Sequence, residues 1–250
     1  MEKAIILEIP YGGLGDHLFH SHIPRIAKQT NKFEKVYISS KSLLRHPDYI
    51  KLVWELNPYI DGFRDEHGII CDIEYIVKNI RKGYNLLDEV MVNFGLDDGL
   101  RMHEPEVYYK PNYKSEYNKV IYDPNFLSWV GEMDKDDAMY FFKNNNYHFD
   151  AIMKIRTDKA LYKESENELY IETPTLFDFC DLIFSCKHIY CLTSGTATLA
   201  AAMRKPATVF FGNSQYEAFQ HSKQHKYVKI EKRPLNKVKS LLKSVKRKIN

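Results

Sequence analysis

The sequence predicts an α/β protein whose parallel sheets are divided between two halves. Strand-length apolar runs alternate with helix-length amphipathic segments along most of the chain, the pattern that right-handed crossover connections produce. The 250 residues, 44% hydrophobic and 28% charged, suffice for one large core or two small ones. Residues 97–117 interrupt the alternation with Asp97-Asp98-Gly99, Pro105 and Pro111, which marks a connection between domains at 1–112 and 113–250.

Each element has its own local reason. Ala4-Ile5-Ile6-Leu7 marks a buried strand over 3–9. Residues 15–29 are expected as one helix with Leu14, Leu18, Ile23, Ile26 and Ala27 on its apolar side. A second strand follows at 35–39, then a helix at 47–56 that the breaker pair Asn57-Pro58 ends. A third short strand is expected at 68–71, and a helix at 85–96 with Leu86, Leu87, Val90, Met91 and Phe94 at helical spacing. In the second half, strands are expected at 119–122, 150–155, 168–172, 188–192, 207–211 and 227–230. Helices are expected at 135–144, capped by Asp134, and at 174–186, capped by Thr173 with Pro174 at the first position. An Ala-rich helix spans 195–204, and a basic helix begins at Leu235.

Composition narrows the function. No stretch has the length and apolarity of a transmembrane helix, and the N-terminus lacks the charged, apolar and small-residue regions of a signal peptide; a cytoplasmic protein is expected. Cys71, Cys180, Cys186 and Cys191 form no C-x-x-C pair and no zinc-type spacing with histidine, so no metal is expected. The net charge is +3, but from His221 onward eleven Lys and Arg face one acid, which leaves the remainder acidic. That distribution argues against a nucleic-acid-binding surface. The helix from 235 carries Leu235, Val238, Leu241, Leu242, Val245 and Ile249 on one stripe with lysines elsewhere. Such a helix either lies on an anionic membrane surface or packs back on the other domain.

Two segments carry chemistry. After the first strand comes Tyr11-Gly12-Gly13-Leu14-Gly15-Asp16-His17-Leu18, a glycine-dense turn into a helix. It puts titratable groups at the carboxyl end of a parallel strand, where open α/β sheets bind ligands. Asp16 is a candidate base or a helix cap, and His17 is the alternative base. The second segment, Cys191-Leu192-Thr193-Ser194-Gly195-Thr196-Ala197-Thr198, ends a buried strand in hydroxyls and starts a helix. Free N–H groups, a positive dipole end and hydroxyls suit a phosphate; hydroxyl capping of a packed helix is the alternative. Asn213, Ser214 and Gln215 follow the last core strand and are further candidates for donor contact, as Arg25 and Lys28 are for charge. Asp134-Lys135-Asp136 is formally a D-x-D, but it opens a helix and reads as capping.

The two segments together carry a family resemblance. Residues 13–28 resemble the first loop and helix of heptosyltransferase-like (family nine) glycosyltransferases: Gly15, Asp16, Leu18 and Pro24 stand where that family has G-D-x-L and a following proline. Residues 175–212 resemble its donor-site segment. The family usually has Asp-Thr-Gly, a histidine before Leu-Ala-Ala-Ala, then Lys-Pro and a strand ending Phe-Gly. This chain has Thr193-Ser194-Gly195, Thr198 in the histidine's place, Leu199-Ala200-Ala201-Ala202, Lys205-Pro206 and Phe211-Gly212. The missing acid and histidine put the family's usual donor, ADP-heptose, in question. Residues 12–20 are also similar to the G-G-L-G-N-Q-x-F-Q opening of α-1,2-fucosyltransferase-like families, which use GDP-fucose, but their His-x-Arg-x-Gly-Asp segment is absent from this sequence.

The resemblance implies a GT-B-like α/β fold in a minimal version, two Rossmann-like domains with parallel sheets facing across a cleft. It implies a metal-independent, inverting glycosyltransferase that moves a sugar from a nucleotide-diphosphate-sugar donor to a hydroxyl of a bacterial-type surface glycan or glycolipid precursor, lipopolysaccharide or capsule. Asp16 would be its base, with His17 as the substitute. Gly13, Gly15, Thr193, Ser194, Gly195, Thr196, Thr198 and Asn213 would hold the donor. A nucleotide-sugar epimerase or hydrolase of the same fold, or a non-catalytic nucleotide-binding module, are the competing readings.

Overall fold

Hydrophobic alternation in the first half produces a four-stranded parallel sheet. A computed structural model describes residues 3–233; the basic helix expected from Leu235 lies outside them. The strands β1 (Ala4–Glu8), β2 (Lys35–Ser39), β3 (Gly62–Arg64) and β4 (Ile69–Ile70) stand in the order β3-β2-β1-β4. The short edge strand β3 has no apolar alternation to announce it. The second half forms a six-stranded parallel sheet from β5 (Val120–Asp123), β6 (Ala151–Met153), β7 (Tyr170–Ile171), β8 (His188–Leu192), β9 (Ala207–Phe211) and β10 (Lys226–Lys229), in the order β10-β9-β8-β5-β6-β7. No helix among the described residues is long and apolar enough to cross a membrane.

The expected helix over 15–29 is two helices, α1 (Leu14–His20) and α2 (Ile23–Gln29). Pro24 has no N–H to give to the carbonyl four residues back, so the ladder stops and restarts. The freed turn is tied by the Ser21 hydroxyl, which donates to the Leu18 carbonyl at 2.7 Å and accepts the Glu106 N–H at 2.8 Å. Residues Ile50–Glu55 form a π-helical turn that buries Leu52, Val53 and Trp54. A short helix, α3 (Ile73–Lys78), is capped by Asp72 and was not expected from spacing. It is followed by α4 (Leu86–Asn93), α5 (Lys135–Asn144), α6 (Leu176–Ser185) and α7 (Gly195–Ala202). The cap of α6 is Thr175, not Thr173: its hydroxyl accepts the Asp178 N–H at 3.1 Å and donates to the Asp178 carboxylate at 2.7 Å.

One apolar core runs through both halves, from Ile5, Leu7 and Leu18 to Cys191, Leu199 and Val209. An aromatic cluster around Tyr122, Phe142 and Phe210 fills the far side of the second sheet. The halves are clasped at several points. The first turns of α1 and α7 touch. Lys51 Nζ lies 5.5 Å above the Phe177 ring, and the Tyr109 hydroxyl donates to Asp181 at 3.0 Å. Asn85, the cap of α4, donates from one amide to the His103 carbonyl at 2.7 Å and the His221 carbonyl at 2.8 Å.

The start of the connecting segment is fixed electrostatically. The His103 ring donates to buried Asp88 at 2.6 Å and to Asp98 at 3.1 Å. Burial works against both charges. The hydrogen bonds from His103 and from backbone N–H groups nonetheless bring Asp88 down to about 2, and those to Asp88 and Asp98 raise His103 above its ordinary value. The Asp88 contribution is lost as pH falls from 3.8 through about 2, and the His103 contribution is lost as pH rises from 6.5 through its raised folded value. Substituting His103→Gln should therefore cost about 3 kcal/mol of stability, the scale for breaking a buried pair. In urea denaturation the gap from wild type should be widest between about pH 4 and 6.5 and shrink at alkaline pH. A gap that grows above pH 8 would contradict the pairing.

Candidate active site between the two sheets

The site is assembled from loops at the carboxyl ends of β1, β5, β6 and β8, where parallel sheets leave their ligand crevice. They enclose a cleft of about 740 Å³ between the two halves. Gly12, Gly13, Gly15 and Asp16 line it from one side, and Thr193, Ser194, Gly195, Thr196 and Thr198 from the other.

The glycines serve close approach rather than unusual backbone, since none of Gly12, Gly13, Gly15 or Gly195 has positive φ. A Cβ on Gly13 would stand 2.7 Å from Asp16 Oδ2, in the space the carboxylate uses to accept the Gly13 N–H at 3.0 Å. A Cβ on Gly15 would meet Gly195 Cα at 3.6 Å and Thr198 Oγ1 at 3.7 Å; one on Gly195 would meet the Gly15 nitrogen at 3.4 Å. The two helix starts therefore abut backbone to backbone. Among the described residues, the N–H groups of Leu14, Gly15, Gly195 and Thr196 make no hydrogen bond to the protein. Ser194, at the cap position of α7, makes no capping bond, and its Oγ is buried without a partner.

Asp16 has the surroundings of a base. Burial raises its pKa against the opposing effects of the Gly13 N–H and the Arg45 charge. His17 does not. It is 1% exposed, its Nε2 donates to the Leu43 carbonyl at 3.0 Å, and its Nδ1 accepts the Trp54 indole N–H at 2.9 Å. Burial pushes its pKa down to about 4. With both nitrogens committed, His17 anchors α1 to the π-helical turn and has no lone pair for a substrate proton.

The hydroxyls around α7 are unequal. Thr196 Oγ1 donates to Asp123 at 2.6 Å, and Thr193 Oγ1 accepts from Gln215 at 2.7 Å. Thr198 Oγ1 lies 3.3 Å from His221 Nε2. Asn213 lies off the cleft: its carbonyl accepts the Glu132 N–H in an antiparallel bridge, and Gln215 lies behind the cleft wall, its amide donating to the Trp129 carbonyl and the Thr193 hydroxyl. Arg25 is paired with Glu106 and Lys28 with Asp61, so neither reaches the cleft. Asp134 caps α5 through the Asp137 N–H at 2.8 Å, while Asp136 pairs with Lys163 and Arg233; the D-x-D is a helix start. No group of three or more His, Cys, Asp or Glu among the described residues is placed to hold a metal ion.

Several polar residues of the cleft were not singled out from the sequence. Arg45 and Tyr49 line it from the first half, Asp123, Arg156 and His221 from the second. Both arginine charges act on the Tyr49 hydroxyl, whose pKa burial raises. Asp123 ends β5 and Arg156 follows β6, so the rule that ligands sit beyond strand carboxyl ends could have found them. Arg45 and His221 sit in loops with no local signal.

No protein-family model and no curated protein sequence matches the chain. Solved structures do match its shape. The iron-containing dodecameric glycosyltransferase TibC from enterotoxigenic E. coli H10407 superposes with a TM-score of 0.59 at 15% identity. The match covers 90% of this chain but 62% of TibC, so the chain spans less than two thirds of that protein. E. coli ADP-heptose heptosyltransferase II matches with a TM-score of 0.56 at 11% identity, covering 91% and 90% of the two chains. E. coli heptosyltransferase WaaC with ADP gives 0.56 at 9% identity over 96% and 99%. The fold is GT-B-like. Two parallel α/β halves facing across a cleft are what these neighbours share with this chain.

The GT-B-like contact at Gly195 is testable. Gly195→Ala places a Cβ at ordinary contact distance and should melt near wild type. Gly195→Val forces branched methyls into Leu14 and Gly15 and should cost about 1–3 kcal/mol by overpacking. Equal melting curves for the two variants would refute the backbone-to-backbone contact.

Proposed function

We propose that the protein is a glycosyltransferase that moves a sugar from a nucleotide-diphosphate donor to a hydroxyl of a surface-glycan or glycolipid precursor. The observation that carries this reading is the abutment of two helix starts with unpaired N–H groups beside a half-buried carboxylate. Each helix start carries about half a positive charge, and placing two together favours an anion such as a diphosphate. The neighbour TibC has been solved with ADP-D-β-D-heptose, at a TM-score of 0.53, and WaaC with ADP, which supports a nucleotide-sugar ligand.

In this reading residues 1–112 form the acceptor side and 113–250 the donor side. Asp16 Oδ2 is tied to the Gly13 N–H, which leaves Oδ1 for the acceptor proton. The deprotonating hydroxyl oxygen attacks the anomeric carbon from the face opposite the diphosphate, so the configuration inverts. The bond from that carbon to the diphosphate oxygen breaks, and its electron pair leaves with the nucleoside diphosphate. The N–H groups of Gly195 and Thr196 and the Ser194 hydroxyl receive the growing charge, with Arg45 and Arg156 at the edges of the cleft. The charge surplus beyond His221 fits an anionic membrane presenting a lipid-linked acceptor.

Asp16→Asn should retain donor binding and lose about 100-fold or more in turnover, the scale for removing a general base. Donor consumption at the wild-type rate without any acceptor would replace transfer by hydrolysis or epimerisation. Because protein N–H groups and hydroxyls hold the diphosphate in this mechanism, transfer should persist in excess EDTA; loss that Mg²⁺ or Mn²⁺ restores would overturn the metal-independent reading.

A further inference from the structure

The loop after β2 is strapped onto the glycine turn that leads into α1. The Ile9 N–H donates to Ser42 Oγ at 3.0 Å, the Leu43 N–H to the Ile9 carbonyl at 2.9 Å, and the Arg45 N–H to the Gly12 carbonyl at 3.0 Å. From α1, the His17 ring donates to the Leu43 carbonyl at 3.0 Å and ties the strap again. Gly12 is its seat: a Cβ there would stand 3.1 Å from Arg45 Cγ and 3.3 Å from the Leu44 and Arg45 nitrogens.

The seat aims one side chain. Arg45 Nη1 lies 3.8 Å from the point a Cβ on Gly13 would occupy, and Asp16 Oδ2 lies 2.7 Å from the same point. Guanidinium and carboxylate therefore flank one small space over Gly13 without closing to a contact pair. Arg45 makes no side-chain hydrogen bond or ion pair among the described residues, whereas Arg25 and Lys28 on the same half are spent on Glu106 and Asp61. The stand-off has a chemical consequence. A contact pair would set the guanidinium fork on both carboxylate oxygens. Held off, the charge still acts and Oδ1 stays open.

Burial works against the Asp16 charge, while the Gly13 N–H and Arg45 work for it. The other groups around Asp16 do not share that task. His17 and His20 on α1 are neutral through burial, and Tyr11 and Tyr49 are phenols whose pKa burial raises. The start of α7 carries no ionisable side chain; Asp123 and Arg156 line the cleft from the second half. Of these charges, Arg45 is the one that acts on Asp16. Resting on the glycosyltransferase reading above, we propose that Arg45 is a positioning residue: seated on Gly12 and held off Asp16, it supplies the counter-charge of the base and leaves Oδ1 open to the acceptor's hydroxyl.

Two readouts on the full chain test this: the titration of the Asp16 carboxyl by carbon NMR, assigned with Asp16→Asn, and the pH profile of kcat/KM for sugar transfer. In Arg45→Gln the Asp16 midpoint should rise. On the acid limb, transfer should fall about threefold below wild type, the scale of one solvent-screened charge. The deficit should shrink as pH rises, because Asp16 then ionises unaided. Arg45→Lys keeps the charge and should restore most of the wild-type profile. Gly12→Ala keeps the guanidinium but presses on its seat; it should move the midpoint the same way and add nothing to Arg45→Gln. An Asp16 midpoint that Arg45→Gln leaves in place overturns the proposal. So does a loss of equal size at every pH, which would make Arg45 a substrate contact, and so does a Gly12→Ala shift that adds in full to that of Arg45→Gln. The NMR arm needs no substrate. If the midpoint rises as expected and no nucleotide sugar is turned over by wild type, the pairing stands and the glycosyltransferase reading falls.

Discussion

Everything at the centre of this molecule depends on the approach of Gly15 to Gly195. Two helices begin there, one from each sheet, and they meet at their positive ends. Head-to-head dipoles repel, so the contact is held by its surroundings. The apolar core that runs unbroken from Leu18 and Ile23 to Ala197 and Leu199 presses the helices together. Asp16 adds a carboxylate to the same corner and offsets part of the positive potential. What remains is a pair of unsatisfied helix starts facing one crevice. A methyl fits at either position at ordinary contact distance, but a branched side chain would widen the gap and draw the two sides of the cleft apart.

The histidines show how burial decides chemistry. Residues 17, 20 and 22 lie close together in sequence, and His17 adjoins the candidate base. Yet each has been drawn into structure: His17 between the Leu43 carbonyl and Trp54, His20 onto the Asp16 carbonyl, His22 onto the Leu87 carbonyl. Desolvation lowers all three pKa values, so they are neutral spacers and not proton carriers. Asp16 moves the opposite way under the same force. A buried carboxyl rises toward neutrality, and a raised carboxylate is a better base than an ordinary one.

Much of the fold was legible because parallel strands buried on both faces leave continuous apolar runs. β1, β2, β8 and β9 fall where Ile, Val and Leu cluster. Edge strand β3 is short and exposed and carries no such run, and α3 has too few turns to show a period. The split of the first helix could have been anticipated from Pro24, since the missing N–H is a local fact. The Thr175 cap could not be separated from Thr173 by composition, because both are threonines flanking Pro174 and only the Asp178 contact chooses between them. At the site, Gly13, Gly15, Asp16 and the segment from Thr193 to Thr198 come together at the cleft, whereas Asn213 does not. Its neighbourhood is set by a bridge to Glu132, a pairing between distant residues.

The same limit explains the apparent loss of an acid and a histidine beside α7. The segment offers Thr193 and Thr198 where the resembling family has charged and imidazole side chains. The folded chain brings an acid and an imidazole back from elsewhere: Asp123 from the end of β5 to the Thr196 hydroxyl, and His221 from the loop after β9 to the Thr198 hydroxyl. Relocation changes what each group can do. Asp123 accepts the Asn125 backbone and amide on Oδ1 and the Thr196 hydroxyl on Oδ2. His221 spends one nitrogen on Thr198 and keeps the other. A motif in which the two groups sat directly on the helix would expose both to the ligand. Here threonine hydroxyls stand between those two groups and the cleft, and the charges that line it come from other loops, Asp16 and Arg45 from the first half and Arg156 from the second. That difference in chemistry, and not the fold, is what sets this segment apart from the family pattern its sequence resembles.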